Sequence, residues 1–192
     1  GQLVYSSVVI AYGTTAYAAH QIGLSIESLS FMPGAGMGIA AATLMGQSLG
    51  ARKYQRAHVS HVEALRLALV VMGVMALIFL LIPQYLVMIF THDPEVIRQG
   101  AVFLRIVAFA QIPLAISFVY AGSLRGAGDT FYVFIVTLLT MWGVRVLLVW
   151  IAGPVLLLSL YAVWGVFLVD WYVRAVAFAW RYHKRDLHGI TL

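Results

Sequence analysis

The charges of this chain are spaced like the punctuation of a membrane protein. Stretches free of Asp, Glu, Lys and Arg run through residues 1–26, 28–51, 67–92, 106–124, 130–144 and 146–169. An uninterrupted apolar run of about 18 residues is long enough to cross a hydrocarbon core as a helix. At that depth only helices and closed barrels satisfy every backbone polar group. The alternating pattern of a barrel strand is missing, which excludes the second option. Charged residues make up 10% of the chain and hydrophobic ones 62%, against roughly 25% charged in a soluble domain. The expectation is an all-α, polytopic transmembrane helical bundle.

Breakers divide the runs. Residues 1–13 read as the tail of a helix, followed by spans at 18–47, 61–82, 96–123, 131–152 and 156–181 and a tail at 182–192. Pro83, Asp93-Pro94, Gly126-Ala127-Gly128 and Gly153-Pro154 mark the connections. Residues 84–90 are apolar but too short to cross, and are placed at the interface. The chain opens at Gly1 inside apolar sequence, and reads as a piece of something longer.

Orientation follows from Lys and Arg. Arg52, Lys53, Arg56, Arg66, Arg125, Arg174, Arg181, Lys184 and Arg185 fall on one side, against Arg98 and Arg105 on the other. The richer side, and with it the C-terminus, is expected to be cytoplasmic. The net charge of +5 therefore reflects helix ends and not a nucleic-acid surface. With no cysteine, disulfides and thiolate chemistry are excluded.

Residues 17–51 carry more than an anchor needs. Glu27 is an ionisable group inside a span, a functional-site hypothesis by default, with a structural partner for an arginine as the alternative. Pro33-Gly34-Ala35-Gly36-Met37-Gly38 interrupts the middle of the same span. It reads as a gating hinge, or as close helix packing through Gly34 and Gly38. Depth along the helices suggests pairings. Glu27 and Arg105 both lie about 14 Å into their spans, so they are candidates for a buried ion pair. Arg145 lies about 21 Å and Asp170 about 16 Å from the cytoplasmic ends of their spans, close enough for an arginine to reach, with Arg174 as a local competitor. His58 and His61 stand three residues apart near Glu63, and lack a third convergent metal ligand. No metal and no organic cofactor are expected.

Several motifs resemble one family. Tyr17-Ala18-Ala19-His20-Gln21-Ile22, Phe31-Met32-Pro33 and Gly46-Gln47-Ser48-Leu49-Gly50-Ala51 resemble the second helix of a repeat in multidrug and toxic compound extrusion (MATE) transporters. Phe90-Thr91-His92-Asp93-Pro94-Glu95-Val96 is similar to that family's external turn. Leu124-Arg125-Gly126-Ala127-Gly128-Asp129-Thr130 is similar to its cytoplasmic turn, read as a tight reversal with an Arg/Asp pair; Trp164-Gly165 and Arg174 also fit.

The resemblance implies a C-terminal six-helix lobe of a twelve-helix transporter, its first helix truncated, partnered by an N-terminal lobe and the lipid bilayer. It implies a secondary antiporter exporting bulky amphipathic or cationic compounds in exchange for H+ or Na+ across a plasma or inner membrane. Glu27, Pro33, Gln111 and Tyr120 are the cavity candidates. The span at 96–123 contains no acid between residues 101 and 123, so the principal cation site is expected in the other lobe. A lipid-linked oligosaccharide flippase and a non-transporting membrane subunit remain as alternatives. A membrane-embedded enzyme lacks a nucleophile–base or metal constellation.

Overall fold

A computed structural model describes residues 2–152, 156 and 159–184, with side chains from residue 6 onward. The Gly153-Pro154 break and the tail from residue 185 lie outside the described residues. The elements are α1 (Gln2–Ile10), α2 (Thr14–Gly50), α3 (Tyr54–Leu81), α4 (Pro83–Met88) and α5 (Pro94–Gly126), then α6 (Thr130–Leu139), a π turn (Thr140–Val146), α7 (Leu147–Trp150) and α8 (Leu160–Lys184). Among the described residues five segments are long and apolar enough to cross a membrane: α2, α3, α5, α6 through α7, and α8.

Local chemistry sets the ends. Asp93 caps α5, its Oδ1 accepting from the Glu95 and Val96 amides at 2.9 and 3.3 Å, with Pro94 at the first helical position. At the far end Gly128 adopts φ +81°, which lets the Asp129 amide donate back to the Leu124 carbonyl at 2.8 Å. The same closure ends α2, where the left-handed residue is Arg52 at φ 57° and Lys53 donates to Ser48.

The interruption expected at residues 33–38 does not occur: α2 is one helix from Thr14 to Gly50. Pro33 removes a single amide donor, a loss that packing absorbs. Gly34 and Gly38 instead bring α2 against Phe118 of α5. A Cβ at Gly122 would overlap the backbone of Gly38, and one at Gly126 would meet Ala42. Small residues four apart on both helices thus set a close backbone crossing.

This crossing makes α5 the central element, packed on α2, α3, α4 and α8. Pro113 within it frees the carbonyl of Phe109, and the Tyr172 hydroxyl of α8 donates there at 3.4 Å. The bundle has two distinct ends. One gathers the α2–α3 turn, the α5–α6 turn and the end of α8, tied by Arg181 Nε to Asp129 at 2.8 Å. The other holds Gly23 against Phe103, and Phe103 against His20 and Trp164 with ring centroids 5.3 and 5.2 Å apart.

Candidate functional site

A pocket of about 240 Å³ opens between α2, the π turn and α8. Helical spacing builds two of its walls. Leu24, Glu27, Ser28 and Phe31 form one stripe of α2 at steps of three and four residues. Phe167 and Trp171 lie on the matching stripe of α8, which continues through Asp170 to Arg174. Arg145 comes from the third element.

The π turn is what aims Arg145. Buried positions along this span are Val133, Thr140, Arg145, Val149 and Ala152. The five-residue step from Thr140 to Arg145 coincides with the π segment. In an α-helix, residues five apart diverge by roughly 140°. One extra residue per turn keeps both inward, and such turns concentrate at functional sites.

Arg145 and Asp170 do form the ion pair their depths suggested, with Nη2 2.5 Å from Oδ2. Arg174 also reaches Asp170, its Nη2 lying 3.0 and 3.2 Å from the two carboxylate oxygens. Asp170 is fully buried between these two cations. The contact from Arg145 is ionic rather than an aligned hydrogen bond, and its buried Nε has no hydrogen-bond partner among the described residues. Its guanidinium carbon sits 4.7 Å from the Phe167 ring centre and 5.8 Å from that of Trp171. Arg174 covers Trp171 at 4.6 Å. Each such contact contributes about 0.5–2 kcal/mol depending on desolvation.

Glu27 is 6% exposed and lines the pocket beside Arg145. The pairing of Glu27 with Arg105 expected from equal depth does not form: Arg105 is exposed and outside the salt bridges among the described residues. Depth fixes height along the bundle but not azimuth. Phe103, Leu104, Val107 and Ala108 take the inner face of α5, which turns Arg105 outward.

The other candidate residues lie elsewhere. Pro33 is half-buried on α2, beyond the pocket lining. Gln111 is fully buried in α5, both amide atoms without a hydrogen-bond partner among the described residues. Tyr120 packs edge-on against His61 at 4.6 Å and Tyr182 at 5.3 Å. His61 itself stacks on Tyr182 at 4.1 Å and places Nδ1 2.8 Å from the Ser123 hydroxyl. Sequence reading missed this cluster, because its members come from three helices. At the α2 end, Gly46 faces the Gly126 carbonyl, Gly50 stands in open space, and Gln47 closes the turn by accepting from Ala51. Arg125 is exposed, and Asp129 pairs with Arg181, whose guanidinium also covers Tyr132 at 4.9 Å.

A bundle of long apolar helices with buried charges suits many transport families. The family model MatE matches residues 1–151. The chain belongs to the MatE family. A probable multidrug resistance protein NorM of Thermotoga maritima is 33% identical over 166 residues, which is 85% of this chain and 35% of the relative. A solved inward-facing multidrug resistance MATE family transporter of the MOP superfamily aligns with all of this chain and 44% of its own, at TM-score 0.89 and 22% identity. An outward-facing one aligns at TM-score 0.87, also at 22% identity, over 43% of its length. These likenesses to solved structures carry the fold. The chain spans about 35% of the curated relative's length. As a MatE chain with five helices long and apolar enough to cross a membrane among the described residues, it is a multi-pass membrane protein and no enzyme.

Proposed function

We propose that this chain is one lobe of a secondary active exporter, moving bulky amphipathic or cationic compounds out of the cell in exchange for H+ or Na+. The observation that carries the reading is the pocket at Glu27, where a buried acid faces aromatic walls between long apolar helices. Buried ionisable groups in spanning helices mark substrate and ion paths. A MatE relative is named a multidrug resistance protein, and the chain covers under half of the solved transporters it resembles. Its fold fits an inward-facing and an outward-facing transporter almost equally well. That supports a lobe moving as a rigid body against a second one.

The reading includes a plasma or inner membrane location with the Arg52–Arg56 end cytoplasmic, in keeping with the bias of basic residues. It also places the principal coupling-ion site in the other lobe, since α5 carries no acid beyond its first turn. The flippase alternative is less well served, because the interior charges balance and leave no excess for a pyrophosphate.

The test is efflux of an organic cation dye from proteoliposomes containing the full-length protein. An imposed proton or sodium gradient should drive it and an ionophore should stop it. Dye movement indifferent to both gradients would refute the reading.

A further inference from the structure

The pocket has the makings of an organic-cation site, yet a cation already stands in it. Its walls are an acid, Glu27, and the rings of Phe31, Phe167 and Trp171. The guanidinium of Arg145 covers the rings of Phe167 and Trp171, at 4.7 and 5.8 Å. That is the geometry in which aromatic faces bind a ligand cation.

The charges agree with this view. Two acids, Glu27 and Asp170, face two arginines, Arg145 and Arg174, within one cluster. With Arg145 counted as part of the wall, the site is neutral and holds no attraction for a cation. With Arg145 counted as an occupant, the remaining wall carries one net negative charge. Among the described residues its guanidinium makes one salt bridge, its Nε has no hydrogen-bond partner, and Nη2 lacks an aligned hydrogen bond. Asp170 retains Arg174 if Arg145 leaves. The pocket mouth is accessible, since Ser28 is exposed and Phe31 is 39% exposed.

We propose that this pocket is an organic-cation site whose resting occupant is the guanidinium of Arg145, so that a cationic substrate enters by displacing Arg145 from the Phe167 and Trp171 rings. Arg145 is then a specificity-determining residue. It excludes cations that compete for the rings less well than a guanidinium and admits flat or quaternary ones that compete better. The proposal rests on the export reading for its substrate class, and its test is a binding equilibrium that needs no gradient.

Benzyltrimethylammonium is the probe, titrated calorimetrically into detergent-purified full-length protein. Arg145→Ala should bind it at least about tenfold more tightly than wild type, because the occupant is gone while the acid and rings remain. Adding Glu27→Gln to that variant should cancel the gain. A gain of binding cannot arise from misfolding. Should Arg145→Ala be too unstable to titrate, methylguanidinium gives the second readout, since it should raise the melting temperature of that variant and leave wild type unmoved. Equal affinity in wild type and Arg145→Ala would overturn the proposal. So would a gain that survives Glu27→Gln, or equal stabilisation of both proteins by methylguanidinium. Each of these outcomes leaves gradient-driven efflux, and the export reading with it, intact.

Discussion

Arg145 reaches Asp170, Nη2 to Oδ2 at 2.5 Å, because the helix between Thr140 and Val146 carries one residue more per turn than an α-helix. In plain α geometry a side chain five residues from Thr140 would point roughly 140° away from it. The π turn converts a surface position into a buried charge.

Removal of Gly143 should therefore be tolerated. With one residue gone, Thr140 and the arginine stand four apart, the spacing that keeps two side chains on one α-helical face. Gly143 has open space around its Cα, so nothing is lost from packing. The deletion should leave the amount of folded protein near wild type. Loss of the folded fraction on size-exclusion chromatography would show that the π turn is needed for more than register.

The two acids of the cluster should respond differently to neutralisation. Asp170→Asn leaves two arginines facing each other in a buried site, and breaking such a pair costs about 3–5 kcal/mol. Glu27→Gln removes a charge that makes no salt bridge among the described residues, so it should cost under about 1 kcal/mol. Thermal unfolding of both variants in detergent checks the contrast. Similar losses in the two would mean that Glu27 holds the fold together.

The crossing of α2 and α5 gives a steric prediction. Gly122→Val places a side chain into the backbone of Gly38 and should destabilise by at least about 3 kcal/mol. Gly36→Val, at a position with nothing within 4 Å of the added Cβ, should be nearly neutral. Expression level and melting temperature of the pair decide it.

Much of this architecture is legible from residues alone. Charge spacing gives the spanning helices, because the penalty for a charge in hydrocarbon shapes the whole sequence. Asp93-Pro94 and Gly128 announce their helix ends through local chemistry. Depth arithmetic finds Arg145 with Asp170 and fails for Glu27 with Arg105. Distance along an axis is additive in residue count, whereas azimuth depends on helix phase and on which face packs. The π turn defeats phase counting altogether. Pro33 misleads in another way: it looks like a break, yet the packing of Gly34 and Gly38 on α5 keeps α2 continuous. The His61–Tyr120–Tyr182 cluster and the Arg181–Asp129 pair join positions far apart in the chain, and no local pattern marks them.

Topology can be read chemically, since the chain has no cysteine. Single cysteines at Lys53 and His183 should react with an impermeant maleimide only after the membrane is opened, while one at His92 should react on intact cells. Labelling of position 53 from outside would invert the assignment.

On the proposed function, Glu27 should serve substrate binding while the coupling ion is held elsewhere. Its most direct test is gradient-driven efflux of an organic cation by the reconstituted full-length protein, compared between wild type and Glu27→Gln under separate proton and sodium gradients. Glu27→Gln should raise KM for the cation at least about tenfold while the dependence on the driving gradient survives. An unchanged KM together with abolished ion dependence would contradict it, and would make Glu27 the coupling site.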